Sequence, residues 1–194
     1  MVLRACLALP IVVGVFFLAS PGSQAADPAV DVQVSVLDAR KCRPFAEQLP
    51  VLFEAGGLQP DDRTPRVDVC VRNKGRMSAV LALAVVERTE SEVACTGDEP
   101  PVDPTCAAGQ PGELGDSLIV LVTTQADCRG PTTAPIELPL VGLESAPVVL
   151  DAALRPNRTT CVGLQLEYRP ASAEAAAASQ TDNVRWRFAF SLST

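Results

Sequence analysis

Hydrophobic and polar residues alternate along most of this chain with a period of two. Residues 29–38 (AVDVQVSVLD) set Val30, Val32, Val34 and Val36 against Asp31, Gln33 and Ser35, the pattern of a half-buried strand. Residues 66–72 repeat it with Val67, Val69 and Val71, and Asn73-Lys74-Gly75 follows with turn chemistry. Residues 161–169 alternate Val162, Leu164, Leu166 and Tyr168. The sharpest pattern is residues 183–192 (NVRWRFAFSL), with Val184, Trp186, Phe188, Phe190 and Leu192 on one face. Arg185 and Arg187, on the other face, read as protection of a solvent-side sheet edge. Residues 78–86 (SAVLALAVV) and 118–124 (LIVLVTT) are continuous apolar runs of strand length, and residues 148–154 predict one more strand. Turn formers crowd residues 56–62, 97–115 and 130–131. The one helical signal is residues 171–179 (ASAEAAAAS), too short to stand alone and placed as a crossover between the last two strands. Many short strands with at most one short helix predict an all-β fold: an antiparallel two-sheet sandwich or jelly roll with long disulfide-stapled loops.

Residues 1–25 read as a secretory signal: Arg4, an apolar stretch over residues 6–19, then Ser23-Gln24-Ala25 as a small-x-small cleavage site. The apolar stretch is shorter than the ~20 residues that span a bilayer, and Pro10 interrupts it. The expectation is a secreted single domain over residues 26–194 with no stable membrane insertion. Six cysteines follow the signal: Cys42, Cys70, Cys95, Cys106, Cys128 and Cys161. An even count in an exported chain predicts three disulfides. Neighbouring pairs are expected. Cys95 with Cys106 would staple the Pro- and Asp-rich residues 96–105, and Cys42 with Cys70 and Cys128 with Cys161 follow by proximity. With no CxxC and no histidine, no metal site and no cofactor is predicted.

Composition changes the functional picture more than the fold. The 194 residues hold 16 Lys+Arg against 23 Asp+Glu, a net charge of −7, which becomes −8 once Arg4 leaves with the signal. That balance argues against nucleic acid as a partner, because neutralising phosphates takes clustered cations. The absence of histidine removes the commonest general base, and no G-x-S-x-G nucleophile turn occurs, so an enzyme is not expected. Acids crowd residues 87–116: Glu87, Glu90, Glu92, Asp98, Glu99, Asp103, Glu113 and Asp116. Without the spacing of a calcium loop, they read as a solvated segment. Asn157-Arg158-Thr159 is formally a glycosylation acceptor.

Three segments carry a resemblance. The first is Val69-Cys70-Val71-Arg72-Asn73-Lys74-Gly75 followed by Ala79-Val80-Leu81-Ala82-Leu83. The second runs over residues 92–114 with Cys95, Glu99, Cys106 and Gly112-Glu113-Leu114-Gly115, and the third over residues 178–188 with Gln180, Asp182 and the strand from Asn183. Together they resemble the exported β-sandwich family of the biofilm-matrix fibre protein TasA and its relative camelysin, in the divergent form common in actinobacteria. The resemblance implies a jelly-roll protein secreted to the cell surface or extracellular matrix, with a structural or adhesive role and no enzymatic one. It also implies self-association by β-strand addition, for which Val30, Val32, Val34 and Val36 mark the candidate donor strand, the alternative being that this strand pairs within its own subunit. The alternative is a monomeric binding module that contacts another surface protein through residues 56–65 and 90–115.

Overall fold

The computed structural model describes residues 32–38, 41–42, 45, 53–92, 102–103, 112–180 and 182–194. The signal segment, Val30, Cys95 and Cys106 lie outside the described residues. In chain order the strands are β1 (Val32–Asp38), β2 (Lys41–Cys42), β3 (Phe53–Gly56), β4 (Val67–Asn73), β5 (Ala79–Glu92), β6 (Leu118–Ala126), β7 (Ile136–Pro139), β8 (Val148–Leu154), β9 (Thr159–Tyr168) and β10 (Asp182–Ser193). Two short helices interrupt them, α1 (Leu140–Ser145) and α2 (Ala173–Ala178), together with a 3-10 turn at Leu114–Ser117. One sheet has the order β2-β1-β4-β9-β6-β7 and the other β3-β10-β5-β8, and every strand pairing is antiparallel. The protein is an all-β sandwich of two antiparallel sheets.

The alternation read from the sequence sets the inner faces. Val34, Val69, Val71, Val120, Val122, Val162, Leu164 and Leu166 from the six-stranded sheet share one core with residues of the four-stranded sheet. Leu81, Leu83 and Val85 of β5 and Val184, Trp186, Phe188 and Phe190 of β10 fill the opposing layer. Phe53 of β3 stacks on Trp186 with ring centroids 5.4 Å apart and meets Phe188 edge-on at 5.8 Å. These contacts add to the area the rings bury.

Three findings differ from the sequence reading. Arg185 and Arg187 guard no edge: β10 lies inside its sheet, and they pair across the strands with Glu54 of β3 and Glu87 of β5. A second helix, α1, joins β7 to β8, whereas α2 forms the expected crossover from β9 to β10, capped by the Ser172 hydroxyl, which accepts from the Ala175 N–H. Residues 57–66 are not a free loop. They run beside β9, with Asp61 N–H donating to Tyr168 O, Thr64 N–H to Leu166 O, and Tyr168 N–H to Asp62 O.

Candidate functional site

On β4 the residues Asp68, Cys70 and Arg72 alternate with the inward valines and so share the outer face of the six-stranded sheet. Cys70 stands opposite Ser35 of β1 and Cys161 of β9, and Cys161 stands opposite Gln125 of β6. Ser35, Cys70 and Cys161 are nevertheless buried. Two disulfides cover the row. Cys42 of β2 is bonded to Cys70 with a Cα–Cα distance of 5.9 Å, and Cys128, in the turn after β6, is bonded to Cys161 at 4.9 Å. Both pairings match the sequence expectation. The two bridges touch, with Cys70 Sγ 3.7 Å from Cys161 Sγ and 3.9 Å from Cys128 Sγ. All four sulfurs lie within 4.8 Å of one another, but sulfurs spent in disulfides hold no thiolate to offer a metal.

Beside this node opens a cleft of about 1040 Å³. Lys41, Cys42, Phe45 and Arg72 form one side, and the turn from Ala126 to Gly130 with Asn157, Arg158 and Thr159 the other. Each bridge anchors one wall: Cys42 ties β2 to β4, and Cys128 ties the turn to β9. The turn doubles back on β6, where Arg129 and Gly130 N–H donate to Ala126 O and the Gln125 amide donates to Gly130 O. Asp127, Cys128 and Asn157 have φ of 50°, 54° and 56°, left-handed conformations that non-glycine residues seldom take. The Arg72 guanidinium lies 4.8 Å over the Phe45 ring, and its Nε is buried with no hydrogen-bond partner. Arg158 pairs loosely with Asp127 at 3.4 Å.

The acidic stretch of residues 87–116 is not simply solvated. Glu90, Asp116 and Glu144 surround the half-buried Arg88, whose guanidinium is held even more firmly protonated by them. Glu92 and Asp103 are buried. Glu92, Glu113 and Asp182, the last contributed by β10, bring carboxylate oxygens within 4.8 Å of one another. Asp182 Oδ2 accepts from the backbone N–H groups of Glu113 and Leu114, which docks the 3-10 turn onto β10. Such a trio is the donor type a hard cation takes. In the protein alone a proton relieves the repulsion: burial, then the Glu92 carboxylate, pushes Asp182 up to about 7. Asp98 and Glu99 lie outside the described residues.

Of the candidate donor strand, Val34 is buried, and Val32 and Val36 pack against the core. β1 pairs with β4 from Val32↔Asn73 to Val36↔Val69 and so completes its own chain's sheet. Among the expected partner loops, residues 57–66 are pinned to β9, and most of residues 90–115 lie outside the described residues. Asn157 of the glycosylation triplet is exposed at the mouth of the cleft. The sequence reading missed the cleft, because Lys41, Arg72, Arg129 and Arg158 meet only through strand pairing. It also missed Asp182, which follows the acidic stretch by more than sixty residues. Compared with known proteins, the chain matches no family model, no curated protein and no solved structure.

Proposed function

We propose that this is an exported, non-enzymatic structural or adhesive protein of the cell surface or extracellular matrix, whose copies associate by strand addition. Among the described residues, two disulfides are bonds of an oxidising compartment, and no helix is long and apolar enough to cross a membrane. A chain without histidine favours contact over chemistry.

One observation carries the self-association: among the described residues β8 is a sheet edge of seven residues with no proline and no lysine within it, its ladder to β5 shifting register only between Ala79 and Ala82. Three other sheet edges are blunted. β2 has two residues, β3 has four and runs into Gly56-Gly57, and β7 ends on Pro139. On β8, Val149 is 56% exposed and stands opposite Ala82 on the outer face of its sheet. β1 is the weaker donor, since Cys42, four residues beyond its end, is bonded to Cys70 of its own β4. The test is light scattering of the oxidised mature protein across a concentration series. Association that Val149→Lys suppresses, with the fold intact by circular dichroism, supports β8. A wild-type protein that stays monomeric at high concentration rejects strand addition.

The second reading, a monomeric binding module, is favoured by the disulfide-framed cleft, a concave surface held in place before any partner arrives.

A further inference from the structure

Seven of the described arginines carry a carboxylate partner within salt-bridge distance. Among the described residues Lys41, Arg72, Lys74, Arg76, Arg129 and Arg155 carry none, and three of these six, Lys41, Arg72 and Arg129, line the cleft beside the disulfides. Among the described lining residues the one acid, Asp127, is paired with Arg158, the fourth cation of the lining. The cleft is therefore strongly positive on a molecule whose net charge is −7. Arg40 and Arg43 flank Lys41 and Cys42 in the sequence, though both lie outside the described residues.

Arg72 is the most telling of these groups. It is half-buried, stacking on the Phe45 ring restrains its guanidinium, and its Nε is buried without a hydrogen-bond partner, so the group keeps unspent donor capacity of the kind that meets oxyanions. Such a group lowers its energy by meeting an oxyanion rather than by turning inward. The volume of the cleft, about 1040 Å³, exceeds what a single small anion fills. The acidic surface beyond it repels a long polyanion. Both facts select a short ligand, or the end of a polymer.

We propose that this cleft is a binding site for a short ligand bearing two or more oxyanion groups, phosphate or carboxylate, with Arg72 as the bidentate anchor and Lys41, Arg129 and Arg158 as flanking cations. The proposal rests on the binding-module reading and is independent of strand addition.

The test is calorimetric titration of the oxidised mature protein with tripolyphosphate and, separately, with trigalacturonate, each at low and at high salt. Saturable one-to-one binding that weakens with salt is expected for at least one probe, and the probe that binds assigns phosphate or carboxylate. Arg72→Gln with Arg129→Gln weakens it by about tenfold or more at unchanged Tm. Lys74→Gln with Arg76→Gln, unpaired cations away from the cleft, leaves it unchanged. Absence of saturable binding to both probes, or equal weakening by the two double variants, overturns the proposal. Saturable binding of either probe that the Arg72→Gln/Arg129→Gln variant retains at wild-type strength refutes the cleft while the binding-module reading survives.

Discussion

Trp186 is fully buried between the sheets, stacked on Phe53 of β3 and edge-on to Phe188 of its own strand, so its loss opens a hole in the aromatic layer of the core. Trp186→Ala is expected to cost about 3–5 kcal/mol, measured as a shift in urea midpoint. Asn73 works by hydrogen bonding instead. Its amide donates to Met77 O and Leu154 O, and its carbonyl accepts from Gly75 N–H, which closes the β4–β5 turn and ties it to β8. Asn73→Ala leaves those carbonyls unmet and should destabilise by roughly 1–3 kcal/mol in the same assay. Glu137 and Glu167 are both held below the ordinary carboxylate value of 4.5, chiefly by hydrogen bonds from Arg169. A depressed folded value means their stabilisation is complete above that ordinary value and is lost as the pH falls through the depressed ones. Arg169→Gln should therefore lose less stability between pH 6 and pH 3 than wild type does, by urea midpoints at each pH. The period-two pattern made the inward aromatics legible. It could not separate an edge arginine from one paired across a central strand, because Glu54 and Glu87 reach Arg185 and Arg187 only through sheet register.

At the scale of elements, seven strands were legible because each carries three or more alternating or continuous apolar positions. β8 was read with its observed bounds, and β5 extends from the expected apolar run to Glu92 through residues whose polar side chains pair across the sheet. β3, β7 and α1 escaped for physical reasons. β3 and β7 are four-residue edge strands with only one neighbour each, and β7 ends on Pro139, which reads as a breaker. α1 is a six-residue helix that buries only Leu140 and Leu143, too few turns to show a period. The disulfides act at this scale too. They close chain segments of similar length, with separations of 28 and 33 residues. Replacing Cys128 and Cys161 together by serine should cost about 3–4 kcal/mol of stability, by chemical denaturation without reductant. The same variant should leave the β-sheet circular-dichroism signature in place, since the core is built without sulfur.

For the whole molecule, a sandwich of two antiparallel sheets followed from patterning, but the cleft and the carboxylate trio did not. The cleft gathers Lys41, Arg72, Arg129 and Arg158, spread over more than a hundred positions of a chain that reads as acidic throughout. The carboxylate trio likewise needs β10 to bring Asp182 back to Glu92 and Glu113. Such convergence is a property of topology, which period and composition do not encode. Topology also sets folding speed: β4 with β9, and β5 with β10, join strands far apart in sequence. Refolding with the disulfides intact should therefore take milliseconds to seconds in stopped-flow experiments, slower than for a helical bundle of this size.

The place of β9 at the middle of the six-stranded sheet has a temporal meaning for a polypeptide delivered N-terminus first. β4 and β6 never touch; each waits with a raw flank until residues 159–168 emerge and knit them together. The Cys42–Cys70 bond can be made as soon as residue 70 emerges, whereas the partner of Cys128 follows 33 residues later. The first bridge can therefore close before the second has both its sulfurs.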